Sequence, residues 1–344
     1  MIHLIIAVTI GGIAILNAAV FWFMPCLTRR DLYFAVTVPP GFRDQAQGIS
    51  ILRRYRMELI PLSVLALGAF VTGIAWFGTG FFSAGPFIQV AASFAAFYRA
   101  RLRVLPYAAQ PTMIREAELH GHNRIIPGGW MAALGPFILL IACAGYLWFH
   151  GRETYSLSVY LISITGILVA LTLILYGLAH WVRPVYAGGP ERARELKFRR
   201  TVSAILLVAE YYLTIQASWI VLVPRRGDLA TVGLPLLAFV FVLVTIVVLA
   251  RLGQGGSRMP AGDDARVASS AVPVGDRIPD RYWKLGIFYF NPDDSAVLVE
   301  KRFGLGYSLN FARPTAWIIL LLLLMATLIP VLAHLMRFLP KFGV

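Results

Sequence analysis

Eight apolar runs dominate the chain, at 2–24, 59–77, 82–98, 130–149, 157–182, 202–223, 231–250 and 315–335. Each is near the ~20 residues an α-helix needs to cross a hydrocarbon core of about 30 Å. Lipid offers no partners to backbone N–H and C=O groups, and the runs lack the alternation of a membrane barrel. The expected fold is therefore an all-α integral membrane protein with eight transmembrane helices. A composition of 58% hydrophobic and 14% charged residues agrees with that class. The third run is interrupted near Gly85-Pro86.

The basic residues orient the helices. If the loops alternate across the bilayer, 25–58, 99–129, 183–201 and 251–314 share one side and carry 6, 5, 6 and 9 Lys or Arg, 26 of the 31 in the chain. The other side has Arg152, Arg225, Arg226, Arg337 and Lys341. The positive-inside rule then gives a multi-pass chain with both termini extracytoplasmic. The first run lacks a basic leader and is followed by Arg29-Arg30, so it reads as an uncleaved helix. The same loops account for the net charge of +14, and no nucleic-acid partner is expected.

Four regions follow in order: seven helices over 1–250, a flexible cytoplasmic linker over 251–279, an aromatic and basic juxtamembrane segment over 280–314, and the last helix with its tail over 315–344. The first cytoplasmic loop contains LYFAVTV (32–38), a β-prone run closed by Pro39-Pro40-Gly41. Beyond it, 44–57 is expected to form a helix running into the second span. Ile51, Leu52, Tyr55 and Leu59 lie on one side and Arg53, Arg54 and Arg56 on the rest, an amphipathic collar or a solvated positive flank. In the segment before the last helix, 282–290 and 297–302 read as two strands around the turn Asn291-Pro292-Asp293-Asp294. This β-hairpin-like unit would take LYFAVTV as a third strand.

Within the helices, Glu210 is the costly residue. It lies ten residues beyond Arg200, roughly 15 Å into the membrane. Ser203, Thr214 and Ser218 share its helical stripe, and Thr165, Thr172, Tyr176 and His180 form a matching stripe on the preceding span. Thr172 and Tyr176 come out level with Glu210, and His180 near the interface. The expectation is a neutral Glu210 hydrogen-bonded to Tyr176 or Thr172, serving as interhelical glue, as a proton or ion relay, or as a small-solute pocket.

No catalytic constellation, cofactor motif or metal pattern emerges. Glu116 and His120 share a helix face but form no HExxH, and Cys26 and Cys143 are isolated. Lys301-Arg302-Phe303-Gly304-Leu305-Gly306 places glycines beside basic residues without matching a phosphate-binding loop. Tyr282, Trp283, Phe288, Phe290 and Phe311, with Lys284, Lys301, Arg302 and Arg313, suit anionic lipid headgroups.

The run YWKLGIFYFNPDDSAVLVEKRFGLGYSLNFARP, with FAVTVPPGFRD and ILRRYR in the first loop, resembles bacterial membrane proteins grouped under a C-terminal domain of unknown function, similar to the SdpI-like immunity family. Its characteristic positions here are Tyr282, Trp283, Lys284, Asn291, Asp293, Asp294, Lys301, Arg302, Gly304, Gly306 and Asn310. The resemblance implies a membrane or peptide partner and a role in envelope stress, immunity or signal control. It supplies no catalytic residues. Where relatives carry a Pro and His/Phe pattern before a Gly, this chain has His150-Gly151-Arg152-Glu153-Thr154.

Overall fold

A computed structural model describes residues 2–77, 84–110, 125–151, 155–182, 189–222, 228–259 and 278–338. Among them are eight α-helices, one at each apolar run: α1 Ile2–Leu27, α2 Ala46–Phe77, α3 Ala84–Val104, α4 Gly129–Phe149, α5 Tyr155–His180, α6 Gly189–Leu222, α7 Asp228–Leu252 and α8 Pro314–Phe338. Five stretches are long and apolar enough to cross a membrane: Ala46–Gly73, Gly129–Phe149, Leu157–His180, Arg192–Leu222 and Leu236–Gly256. Ala14–Leu27 and Pro314–Ala326 are shorter apolar stretches. This is a mostly helical architecture consistent with a membrane protein. Gly85-Pro86 falls in the first turn of α3, where a proline removes no helical hydrogen bond.

Three separate antiparallel strand pairs accompany the helices, and they correct the expected pairing. LYFAVTV is not one strand but a hairpin, β1 Leu32–Tyr33 with β2 Val36–Thr37, turned by Phe34 and Ala35 at φ 47° and 61°. The 282–290 run also folds on itself, β3 Trp283–Lys284 with β4 Phe288–Tyr289, around Leu285 and Gly286 at φ 53° and 81°. The 297–302 run pairs onward, β5 Leu298–Glu300 with β6 Tyr307–Leu309. LYFAVTV therefore adds no strand to the juxtamembrane segment.

The chain forms two compact units, one from 1–116, 263–289 and 301–306, the other from 117–262, 290–300 and 307–344. The juxtamembrane segment contributes to both. In the first unit α3 packs against α1 and α2. The 32 residues of α2 span roughly 48 Å, so the helix outruns a hydrocarbon layer of about 30 Å. Its Ile51, Tyr55 and Leu59 join Phe34, Val36, Phe97, Ala100 and Val104 in one core, leaving Arg53 and Arg54 exposed, as a collar and a solvated flank both require. Arg43 closes the end of α1, donating to the carbonyls of Pro25, Thr28, Arg29 and Leu32 and to Thr28 Oγ1. A cation suits that end, where helical carbonyls lack N–H partners.

In the second unit α5 packs along α8, and α6 along α4 and α5. Small residues allow close approach: Gly166 lies against Ala326, and Gly135 leaves room for Tyr211, whose hydroxyl donates to the Ala132 carbonyl at 2.9 Å. Exposed Trp130 and Trp148 mark the two ends of α4. Their separation of about 27 Å along the helix matches aromatic belts at both faces of a bilayer. The β5–β6 hairpin sits on the end of α5, with Val297 and Leu298 N–H groups donating to the Trp181 carbonyl and Leu298 filling the space over Gly177. The expected linker begins as ordered chain. Gly253 to Met259 form a tight turn that buries Gln254, and Gly255 faces the Glu300 carboxylate. Residues 260–277 lie outside the described chain.

Candidate functional site

Of the five residues expected to act inside the membrane, three meet. Glu210 is fully buried, and its Oε1 accepts from Thr172 Oγ1 at 3.1 Å. Thr214 donates to the backbone carbonyl of Glu210 at 2.9 Å. Glu210 Oε2 and, two turns earlier, Ser203 Oγ are buried without a hydrogen-bond partner among the described residues. Tyr176 and His180 stand elsewhere. Tyr176 is half exposed and packs on His180 at 4.6 Å, Trp181 at 4.8 Å and Trp130 at 5.7 Å. One turn of helix therefore separates a residue that faces Glu210 from one that joins an aromatic cluster. Thr165 donates to the Leu161 carbonyl of its own helix.

A second polar contact lies between α2 and α3, where the expected chemistry was confined to α5 and α6. Buried Gln89 donates to Ser63 at 2.9 Å and approaches Ser93 at 3.5 Å. The i, i+4 spacing of Gln89 and Ser93 within an apolar run was the available signal. Glu116 and His120 lie outside the described residues, among which no metal-ligand cluster occurs.

The first unit holds its share of the juxtamembrane segment by buried charge. Arg302 is fully buried, donates to the Asp280 carboxylate and the Ile278 carbonyl, and stacks over Trp283 at 5.4 Å. Thr37 of the first loop donates to the same Asp280 oxygen at 3.0 Å. Arg101 donates to the carbonyls of Ala35 at 2.6 Å and Phe34 at 3.3 Å, and Gly286 packs against its guanidinium. One arginine thus braces two turns of left-handed backbone. Such a conformation costs non-glycine residues roughly 1–2 kcal/mol each. Phe303 enters the helices, 3.9 Å from Phe97 and 5.7 Å from Phe21. Lys301-Arg302-Phe303-Gly304-Leu305-Gly306 is accordingly a wedge closed by the bond from Lys301 N–H to the Gly306 carbonyl, with φ 102° and 95° at its glycines. Burial pulls the Lys301 ammonium down from its usual range.

These contacts divide the aromatic and basic residues of the segment. Trp283 and Arg302 point inward, while Lys284, Leu285 and Phe288 are exposed on the β3–β4 hairpin, beside half-buried Tyr282.

In the second unit, an amide does the holding. The Asn310 side chain is fully buried and donates to the carbonyls of Asn291, Asp294 and Ala296 at 3.0–3.1 Å, while its oxygen accepts from the N–H groups of Asn291 and Ala312. Asn291 and Asp294 tighten the same loop by accepting from the N–H groups of Asp293 and Ala296, and Arg313 donates to the carbonyls of Asp294 and Pro292. Arg199 bridges Glu195 at 3.0 Å and reaches the Tyr307 hydroxyl, whose pKa burial raises against the opposing pull of that guanidinium. The NPDD and NFARP runs are thus one hydrogen-bonded structure.

Residues 292–317 match the profile of a family of unknown function (DUF5808). No curated protein and no solved structure matches the chain. The matched stretch runs from the Asn310-centred loop into the first turn of α8.

Proposed function

We propose that this is an eight-span regulatory protein of the bacterial cytoplasmic membrane, with both termini extracytoplasmic, acting in envelope stress or immunity in the SdpI-like manner by binding a partner rather than by catalysis. The observation that carries this reading is the β3–β4 hairpin. Trp283, Tyr289 and Gly286 fix it from within, and Lys284, Leu285 and Phe288 are exposed on its surface. A hairpin too short to be stable alone, braced on a buried arginine, is a positioned surface. The charge asymmetry of the loops supports the orientation.

A deletion strain challenged with envelope stresses and toxins tests it. Complementation is expected to fail with Phe288→Asp and to succeed with Glu210→Gln. The reverse result would favour a second reading, an ion-coupled or small-solute transporter, for which the buried and unpartnered Glu210 Oε2 speaks. The topology has its own test: cysteines at 152 and 226 should react with an impermeant reagent on intact cells, and one at 265 should not.

A further inference from the structure

We infer that the exposed face of the β3–β4 hairpin seats anionic phospholipid headgroups of the cytoplasmic leaflet. This rests on reading the hairpin as a working surface, and it names what that surface binds.

Two contacts set the level of the hairpin. Gly286 lies so close to the Arg101 guanidinium that a Cβ there would come within 3.0 Å of it. Ile287 packs on the core that contains Tyr55, Phe97, Ala100 and Val104. The hairpin therefore stands beside the last turns of α3 and the arginine-bearing turns of α2, where each helix leaves its apolar run.

The residues exposed at that level are of two kinds. Arg53, Arg99 and Lys284 are basic; Met57, Leu285 and Phe288 are apolar, at 66%, 48% and 44% exposure. The neighbouring carboxylates are engaged elsewhere, Glu58 by Arg103 and Asp280 by Arg302. Water solvates the first kind and leaves the second exposed at a cost. A headgroup layer takes both, since its phosphates meet the cations and the acyl boundary below accepts the apolar side chains. Net negative headgroups fit a girdle whose exposed charges are positive.

The test uses the full chain with Cys26→Ser, Cys143→Ser and Phe288→Cys, carrying an environment-sensitive fluorophore, in vesicles of mixed phosphatidylcholine and phosphatidylglycerol. Leu285→Cys is the second probe position. The same acyl-chain nitroxide is supplied on one lipid or the other. Quenching is expected from both, stronger from phosphatidylglycerol, and Lys284→Gln should reduce that preference by about fivefold, the factor one basic residue supplies near an anionic surface. Equal quenching by the two lipids, or none, overturns the inference. An unquenched probe combined with failed complementation by Phe288→Asp would mean a protein partner and leave the working surface intact. A phosphatidylglycerol preference together with full complementation would keep the lipid site and remove the regulatory reading.

Discussion

The two units hold their shares of one juxtamembrane segment by opposite means. The first uses ions, with Arg302 buried against Asp280 and Arg101 braced on two carbonyls. The second uses a neutral amide, Asn310, whose side chain takes part in five hydrogen bonds. A buried ion pair is dear to desolvate and dearer to break, because removing one partner strands the other. An amide asks for little desolvation beyond good geometry, and its loss is shared among several backbone groups. The first arrangement is thus the more brittle, and it is the one that carries the displayed hairpin.

The largest effect is expected at that ion pair. Arg302→Leu should destabilise the first unit by roughly 3–4 kcal/mol, the lower part of the range for a broken buried pair, because the half-buried Asp280 carboxylate keeps the Thr37 hydroxyl and the field of Arg101. Thermal unfolding in lipid nanodiscs measures the loss, and proteolysis should appear first within 278–306. Arg302→Leu combined with Asp280→Leu should recover part of the stability. No recovery would mean that the pair is held by surroundings rather than by its own charges.

Asn310→Leu comes next. It leaves buried N–H and C=O groups unpartnered at about 1–3 kcal/mol each, reduced where water enters, so a net loss of roughly 2–4 kcal/mol is expected. Hydrogen exchange should rise at Asn291 and Ala312, whose N–H groups Asn310 accepts, and stay unchanged at Lys284–Ile287 in the first unit. A rise in both places would erase the distinction between the units.

Gly286→Ala should cost about 1–2 kcal/mol, from a left-handed φ and from the displaced Arg101 guanidinium. Gly306→Ala shares the positive φ but faces open space, so its cost should be smaller. Equal costs in a denaturation series would show that backbone strain alone matters and that Arg101 is no brace.

How far these arrangements can be read from residues alone differs between helices and loops. The eight helices stand at the eight apolar runs because the length and hydropathy of each run are properties of that run. The hairpins are another matter. Nothing local in Phe34-Ala35 announces left-handed backbone, since the residues that favour it are Gly, Asn and Asp. The turn exists because Phe34 packs on Tyr33 and Tyr55 at 4.8 Å and 4.9 Å, and because Arg101, 66 residues from Ala35, accepts the duty of binding its carbonyl. Gly286 was a legible sign of a turn inside a run read as one strand. Asn310 could be placed in the segment but not given a role, because its acceptors lie up to 19 residues away. Counting residues from the membrane face did pair Thr172 with Glu210. It could not tell that the neighbouring turn rotates Tyr176 toward Trp130.

The smallest expected effect on stability, and the one that decides what the second unit is for, belongs to Glu210→Gln. The glutamine carbonyl can accept the Thr172 hydroxyl as the carboxylate oxygen does, and the Thr214 bond goes to the backbone, which the substitution leaves alone. Nothing in the packing changes, so the unfolding temperature should move little, within the roughly 0.5 kcal/mol of a neutral exchange. Glu210→Leu is the contrast: it removes the acceptor, strands the Thr172 hydroxyl and should cost about 1–3 kcal/mol. If Glu210 joins helices as Asn310 joins loop to helix, Glu210→Gln complements the deletion strain and Glu210→Leu fails in proportion to its instability. Should Glu210→Gln fold normally and fail to complement, the ionisable proton is what the cell needs. The second unit would then carry chemistry as well as structure, and uptake into proteoliposomes under an imposed pH gradient would be the measurement to make.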